Sequence, residues 1–576
     1  MNKNKWVIKE KAPQSFLNNF PEYSKTTLQL LWNRGLRNQN KIDEFFNPDY
    51  DQDLHDPFLL KDIKKGIKRI KKASREKEKV AIFADFDADG VCGATILKEI
   101  FSVFKIKPTI YIPDRNKEGY GMNIPAVKKM AEEGVSLIVT VDCGVTDFKE
   151  IRLANKLGID VIVVDHHEIP EKRPAALAVI NPKQKDCKYP FNDLSGAGVA
   201  FKLAQAIRKL EDLPISWEKW LLDLVAISIA TDSMPLLGEN RALAKYGLVV
   251  LSQTKRKGLR ALMETARIEP IYNQKTESTN LTINTLAFVL GPRINAASRV
   301  KHAKLAYDLL NSTNLEKAKK LSNELEMHNR ERKKLMDKMF SSAKEKVIKR
   351  GSSCKIVFEG DEKWSSGLAG LVAQKLLNEF WCPCFIFQKL KEKSTGSIRS
   401  LPGFDAVKAL KSCKDLLEEF GGHPQAAGFT ILNKNLESFE KKIGALAKKE
   451  LKKKAEKMLE VDMEVGLKDL NWSLLEDIEN FSPFGEGNPF PCFLIKKIEV
   501  SSIRSVGVNG NHLKLYLKSS DWTGVKKIDA IGFGLSDFYD KIGIGDKIDV
   551  IAELMGNYWN GSKRLQLRII DIKKRK

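Results

Sequence analysis

The sequence predicts an α/β chain. A parallel sheet of the doubly wound kind is joined by a long helix to a second α/β segment, and a small β-barrel follows. Three observations carry this. From Lys79 onward, short β-rich runs alternate with helical ones. Residues 314–350 form a charged helical stretch with neither Gly nor Pro. Beyond residue 456, strand-like runs recur between turn signals.

Taken in order, residues 1–75 read as helical, polar and basic. Within them Leu59–Ile70 spaces its apolar residues at three and four, as an amphipathic helix with a basic outer face does. Strands are expected at Val80–Phe83, Thr109–Ile112, Leu137–Val141 and Val161–Val164, each too apolar for a half-exposed sheet. Helices between them are expected at Val91–Phe104, Ala126–Glu133 and Phe148–Leu157, with right-handed connections. Helical patterns continue at Val199–Leu210 and Trp217–Ala230. The 314–350 stretch reads as a connector between two lobes. A second α/β segment spans about 353–450 and ends in the Lys-rich run 448–454. The last strands are expected at Leu513–Leu517, Lys527–Phe533, Lys547–Glu553 and Leu565–Ile572, with turns at Asn509-Gly510-Asn511 and Trp559-Asn560-Gly561-Ser562.

Composition narrows the function. The 576 residues suit three to four domains at roughly 100–200 residues each. With 43% hydrophobic and 30% charged residues, disorder throughout is excluded. The best apolar run, Leu221–Ala230, is short and carries Asp223, so no membrane span is expected. No apolar segment follows the basic start, which argues for a cytoplasmic protein without a secretory signal. A formal charge of +23 favours a polyanionic partner, although a Lys-rich composition alone would give the same sign. The eight cysteines are scattered and include no CxxC pair, which argues against a zinc ribbon or disulfide framework.

The chemistry concentrates at strand ends. The run Val80–Phe83 leads into Asp85, Asp87 and Asp89, followed by Gly90. In extended backbone, residues at i, i+2 and i+4 share a face, so three carboxylates converge. Packed like charges repel unless a cation holds them. A solvated acidic loop is the alternative, and an EF-hand fails for want of its later ligands. Leu137–Val141 ends at Asp142, Val161–Val164 ends at Asp165-His166-His167, and Asp232 follows the apolar helix. Ligands of open parallel sheets sit at the carboxyl ends of the strands, so these groups are expected in one crevice. Asp and His without thiolate suit Mn2+ or Mg2+, and two ions could activate water and stabilise the leaving oxygen of a phosphodiester. No Walker loop is present, which argues against an NTPase.

These segments carry a resemblance. Asp85-Phe86-Asp87-Ala88-Asp89-Gly90, Val141-Asp142-Cys143-Gly144, Asp165-His166-His167 and Thr231-Asp232 resemble the four motifs of the DHH phosphoesterases. Glu118-Gly119-Tyr120-Gly121, the run from Leu194 to Ala200, the run from Gly291 to Arg299, Ser397-Ile398-Arg399-Ser400, the run from Gly421 to Gly428 and the run from Pro483 to Pro489 narrow this to the RecJ exonucleases. The resemblance implies a DHH catalytic domain over 76–312 after an N-terminal helical segment 1–75. A connecting helix 313–350, a DHH-associated α/β domain 351–455 and an OB-like DNA-binding domain 456–576 follow. It further implies a metal-dependent 5′→3′ exonuclease that releases mononucleotides from single-stranded DNA in repair and recombination.

By the same resemblance, Asp87, Asp89, Asp142, His166 and Asp232 are metal ligands and catalytic groups. Asp85 and His167 are supporting or second-site groups, and Asp165 orients a histidine. Arg293, Asn295 and Arg299 suit a phosphate clamp, to which Arg399, Ser400, Gly422 and His423 add donors from the second lobe. In the terminal barrel, Tyr516, Trp522, Phe533, Tyr558 and Trp559 are candidate base platforms, with a core role as the alternative for each. A helicase and a single-strand-binding protein are implied partners, and a monomer is the implied state. One departure stands out: Ser365 occupies a position where RecJ proteins usually carry His. Two competing readings are a DHH hydrolase of short oligoribonucleotides or cyclic dinucleotides, which lacks the basic N-terminal segment and the barrel, and a catalytically dead DNA-binding scaffold, which loses motif carboxylates.

Overall fold

The computed structural model describes residues 4–115, 117–351, 355–451, 456–519, 527–559 and 562–575. They form two compact units. One comprises Leu54–Met234 and Ala242–Ala455; the other comprises Met1–Asp53, Pro235–Arg241 and Glu456–Lys576.

The first unit holds two α/β lobes. In its N-terminal lobe five strands pair in parallel, in the order Thr109–Tyr111, Lys79–Ala84, Val135–Val141, Asp160–Val164 and Ala178–Ile180. The helices Ile124–Glu132 and Phe148–Lys156 cover one face of this sheet. Ala88–Val103 and Gly196–Leu210 pack on the other. Burial on both faces is why the interior strands are apolar at nearly every position.

Helix Ile63–Arg75 also packs on this lobe, with Ile67, Ile70 and Ala73 buried. Its expected basic outer face has one exception. Arg69 points inward, where Nη2 pairs with Glu78 at 2.6 Å and Nε with Asp160 at 2.5 Å.

The connecting helix runs from Leu315 to Lys349, which at 1.5 Å per residue is about 50 Å. Its first half packs on the helices Lys257–Thr265 and Gly291–Val300. Its second half gives Met339, Ala343 and Val347 to the core of the second lobe. That lobe is a mixed five-stranded sheet, ordered Leu417–His423, Ala426–Leu432, Lys393–Arg399, Cys384–Lys389 and Val357–Asp361.

The second unit contains the barrel. Strands Phe493–Val506, His512–Ser519, Lys527–Gly532, Ser562–Lys574 and Lys547–Trp559 pair in that order. Phe493–Val506 pairs again with Lys547–Trp559 and closes the ring. Leu513, Leu515 and Leu517 point into the core while Lys514, Tyr516 and Lys518 point out. The Phe493–Val506 strand was not among the expected ones. Register shifts at Ile495/Ile498 and Val500/Ser502 break its alternation, and Lys497 adopts a left-handed φ of 54°.

The N-terminal 53 residues also differ from the expected helical segment. Lys5–Ile8 is a strand pairing in parallel with Met458–Val461. The helices after it share a core with Phe481, including Phe45 and Leu31. A pairing across some 450 positions leaves no local signal in the sequence.

Candidate metal centre

In the N-terminal lobe the strand order reverses between Lys79–Ala84 and Val135–Val141. A crevice opens at the carboxyl ends of strands at such a point. Each strand-end aspartate extends the ladder by one bond before the chain turns away. The N–H of Asp85 donates to Val141 O at 3.2 Å, that of Asp142 to Val164 O at 3.0 Å and that of Asp165 to Ile180 O at 3.1 Å. Register between the strands therefore sets the relative heights of the three acids.

The turns that follow aim the ligands. Asp87 caps the helix Ala88–Val103, accepting from the N–H groups of Asp89 at 2.9 Å and Gly90 at 3.1 Å. Only glycine fits at position 90, where a Cβ would lie 2.4 Å from Asp85 O. Asp142 takes a left-handed φ of 61°. Gly196 leaves room for its side chain, since a Cβ there would lie 2.7 Å from Asp142 Cβ. Asp89 is fully buried and accepts from the N–H groups of Gly196 and Ala197, both at 2.7 Å, and from the Ser228 hydroxyl at 2.6 Å. It thus sits at the positive end of the Gly196–Leu210 helix. Asp232 is the C-cap of Leu222–Thr231.

These side chains gather around His166. Its Nε2 lies 3.1 Å from Asp142 Oδ1, 3.5 Å from Asp232 Oδ2 and 3.8 Å from Asp89 Oδ2. Yet neither ring nitrogen of His166 makes a hydrogen bond to a described residue, and both are buried. Asp85 Oδ1 is likewise buried without a partner. Buried polar atoms are almost always satisfied, so ligand atoms that face one point without bonding each other fit a place for a cation. Three overlapping groups have the necessary spacing: Asp85, Asp87 and Asp142; Asp89, His166 and Asp232; and Asp142, His166 and His167.

The electrostatics agree. Burial first, and Asp87 next, push Asp85 well above the ordinary carboxylate range. Burial and then Asp89, Asp87, Asp85 and Asp232 do the same to Asp142. Burial raises Asp89 as well, against the opposing charge of His166. Asp232 is pushed up to about 8 by burial and by Asp89 and Asp87. A positive charge at the centre of such a cluster favours its ionised form.

His167 is oriented by a carboxylate outside those groups. Burial disfavours its charge, but Asp165, 2.8 Å from Nδ1, outweighs that and raises it to about 9. Asp165 is fully buried and also accepts from the N–H groups of Val145, His166 and His167. Its oxygens face the protein and fix the His167 ring, in keeping with the orienting role implied by resemblance.

A second cluster, of opposite charge, lies beside the acids. Arg299 is lowered to about 9 by burial and then by Arg115 and Arg332. Arg399 is lowered by burial and by Arg115. Burial also lowers Arg115, while Asp85 and Asp87 oppose it. Arg299 comes from Gly291–Val300 and donates through Nη1 to Gly367 O at 2.6 Å in the second lobe. Arg399 ends the strand Lys393–Arg399. Guanidinium groups gathered in a half-buried place have the chemistry to receive an anion.

Other residues expected at the DNA are placed differently. Arg293 Nε lies 2.8 Å from Glu326 Oε2 and its Nη1 donates to Val289 O at 2.7 Å. Asn295 Oδ1 accepts from the N–H of Ala88 at 2.8 Å, which ties its helix to the acidic loop. Ser400 is buried and its hydroxyl donates to Phe404 O at 2.7 Å. Gly422 and His423 are exposed at the end of Leu417–His423. A Cβ at Gly422 would lie 2.4 Å from Ala426 O, and its φ is 134°. Ser365 is the N-cap of Ser366–Phe380 and makes no side-chain cap bond. On the barrel, Tyr516 is 39% and Phe533 59% exposed, which suits platforms better than core. Trp522 lies outside the described residues, as do the side chains of Tyr558 and Trp559.

Arg115, Ser228 and Tyr120 were missed as site residues. Tyr120 hydroxyl lies 3.1 Å from both Asp142 O and His167 Nδ1. A lone Arg in a loop and a lone Ser in an apolar helix carry no pattern. Glu118-Gly119-Tyr120-Gly121 was visible as a motif, and its glycines, both at positive φ, are what turn Tyr120 toward the acids.

Comparison with known proteins agrees with this architecture. The DHH family N-terminal domain matches residues 79–229, the DHHA1 domain 352–449 and the RecJ OB domain 461–571. The single-stranded-DNA-specific exonuclease RecJ of Bacillus subtilis is 36% identical over 524 residues, covering 90% of this chain; the chain spans 64% of that protein's length. The protein of the same description from Thermus thermophilus is 31% identical over 548 residues, which cover 94% of this chain and 74% of the relative. Crystal structures of Thermus thermophilus RecJ match as well. The complex with Mn2+ covers 99% of this chain and 80% of that one, with a TM-score of 0.83 and 27% identity. The complex with Mg2+ gives a TM-score of 0.78 and 26% identity, covering 99% and 79%.

Proposed function

The chain belongs to the RecJ family, and from that premise we propose that it is a metal-dependent 5′→3′ exonuclease that hydrolyses single-stranded DNA to mononucleotides. The observation that carries this reading is the set of carboxylates gathered around His166, whose buried nitrogens make no hydrogen bond to the described residues. In this proposal Asp87, Asp89, Asp142, His166 and Asp232 hold two ions, Mn2+ or Mg2+, with Asp85 completing the group of Asp87 and Asp142. Bound there, such ions lower the pKa of water and stabilise charge on the leaving oxygen of a phosphodiester.

The protein's own groups set up the rest. Asp89 is fixed by three donors, so its carboxylate cannot swing away when substrate arrives. His167, whose protonated form Asp165 favours, can hold a proton near the phosphate. Arg115, Arg299 and Arg399 bind a phosphate next to the acidic cluster. A phosphate anchored at a fixed distance from the ions selects a chain end over an internal bond. The exposed Tyr516 and Phe533 offer faces on which bases stack.

The implied helicase, the single-strand-binding partner, the monomeric state and the cytoplasmic site of action belong to this proposal too. No described helix is long and apolar enough to cross a membrane. A hydrolase limited to short oligonucleotides is less favoured, because the chain carries the barrel such enzymes lack. A dead scaffold is disfavoured by the complete acid set.

The test is a cleavage time course with Mn2+ on one oligonucleotide, labelled at its 5′ or its 3′ end, beside its duplex. Immediate release of labelled mononucleotide from the 5′ end with an intact duplex supports the proposal. A mononucleotide appearing first from the 3′ end, or no cleavage at all, contradicts it.

A further inference from the structure

A cavity of about 430 Å³ opens at the far ends of the two helices that begin or end at the metal centre. Helix Ala88–Val103 carries Asp89 in its first turn and brings Lys98 to the cavity. Helix Leu222–Thr231 brings Asp223 to the cavity and ends at its C-cap Asp232. At 1.5 Å per residue the two places are about 15 Å apart.

The lining combines aromatic faces with cations. Trp217 and Trp220 are half-buried and form the apolar part. The ammonium of Lys255 lies 4.1 Å from the centroid of the Trp220 ring. Lys98 Nζ donates to Asn311 Oδ1 at 3.1 Å. The two acids in the lining share one cation: Arg256 lies 3.1 Å from Glu99 and 3.4 Å from Asp223, and the Thr254 hydroxyl donates to Asp223 at 2.6 Å. That leaves Lys98, Lys255 and Lys257 without a carboxylate partner among the described residues. Lys257 also opens the helix Lys257–Thr265, whose N-cap residue makes no side-chain cap bond.

We propose that this cavity binds a free nucleoside 5′-monophosphate, with the base against Trp217 and Trp220 and the phosphate on the three lysines. Two indole rings in the lining would serve no purpose for a bare anion, whereas every base presents a π-face to pack on them. The uncompensated lysines would serve none for an uncharged nucleoside. The volume falls within the ~300–1,000 Å³ typical of small-molecule sites, which favours one nucleotide over a length of strand. This site lies outside the proposed catalytic centre. Its ligand is the product class of the proposed cleavage, a link that rests on that reading; the binding itself does not.

The test is equilibrium dialysis of the full chain against radiolabelled dAMP in EDTA, so that neither cleavage nor metal-dependent binding contributes. Saturable binding is expected in the unmodified chain and in Asp89→Ala. At least tenfold weaker binding is expected in Lys255→Glu and in Trp220→Ala. Inorganic phosphate and deoxyadenosine should each compete at least tenfold less well than dAMP. Lys255 is exposed, and an unchanged circular dichroism spectrum and Tm of Lys255→Glu verify its fold. Any of these results would overturn the proposal: no saturable binding, binding lost in Asp89→Ala, binding untouched in Lys255→Glu, or phosphate competing as well as dAMP. An oligonucleotide that binds where dAMP does not would overturn it in favour of a strand-binding groove. Each of these leaves the nuclease reading standing, because none of them measures cleavage.

Discussion

The acidic cluster around His166 and the arginine cluster beside it are both gatherings of like charge, the first buried and the second half-buried, but they are built differently. The acids come from strand ends whose heights are locked by sheet register, and backbone N–H groups fix them further. The arginines come from a loop, a helix and a strand of the second lobe, and reach their place on long side chains. A strand-end carboxylate has one place to go. An arginine of the same chain can be drawn off into a local pair, as Arg293 is by Glu326. The acids therefore suit positioning of small, hard ions, whereas the arginines suit an anion that arrives and leaves.

The largest expected effect comes from the acids. Asp89→Ala or Asp232→Ala should lower cleavage about a thousandfold or more, since ion-based charge stabilisation is worth several kcal/mol. Binding of single-stranded DNA should persist, as measured by fluorescence anisotropy; lost binding would mean that the acids serve the fold.

The arginines should give a smaller, more selective loss. Arg299→Ala or Arg399→Ala removes a charged hydrogen bond worth about 1.5–3 kcal/mol, which converts to a ~10–100-fold drop in kcat/KM. That drop should be steepest on oligonucleotides bearing a 5′-phosphate. An equal loss on 5′-hydroxyl substrates would show that these arginines do not read the chain end. Arg293→Ala, already paired with Glu326, should change activity least of the three.

The raised pKa values make a third contrast. A carboxylate whose folded pKa lies above its unfolded value favours the protonated folded state, so its contribution weakens the fold as pH rises between the two values. Asp232, raised to about 8, should therefore destabilise the metal-free chain progressively from about pH 4 to pH 8. Asp232→Asn should raise the metal-free Tm at pH 8 and leave it unchanged near pH 4. Mn2+ should displace the retained protons, so its affinity should climb up to about pH 8. A metal-free Tm that is insensitive to Asp232→Asn at pH 8 would contradict the raised value.

The smallest effect is expected at the barrel. Tyr516→Ala with Phe533→Ala should weaken single-strand binding several-fold, toward the low end of the ~1–3 kcal/mol per stacked base. Unchanged affinity would assign those rings to another surface.

The same contrast explains what was legible in the sequence. Asp85 and Asp142 each follow an apolar strand directly, and Asp87, Asp89 and His166 come within five residues of a strand end, so a local pattern announces both the element and the site. Asp232 was legible as the end of an apolar helix. Arg115 was not, because only the folded chain sets it beside Arg299 and Arg399, residues far along the sequence. Ser228 was hidden in an apolar helix, where its hydroxyl reads as a tolerated polar residue rather than as a donor to Asp89. Arg69 read as part of a basic face, yet Glu78 and Asp160 draw it inward. The strands Lys5–Ile8 and Phe493–Val506 escaped for two further reasons, a distant partner and a bulged register.

The central claim is that the acids around His166 are a two-ion site. Its most direct test is the Mn2+ stoichiometry of the full chain, counted by electron paramagnetic resonance of free ion, in the unmodified protein and in Asp89→Ala with Asp142→Asn. Two tightly held ions per chain, both weakened or lost in the double variant while circular dichroism stays unchanged, is the predicted result. Two ions held equally well by the double variant would place the metal elsewhere and contradict the account.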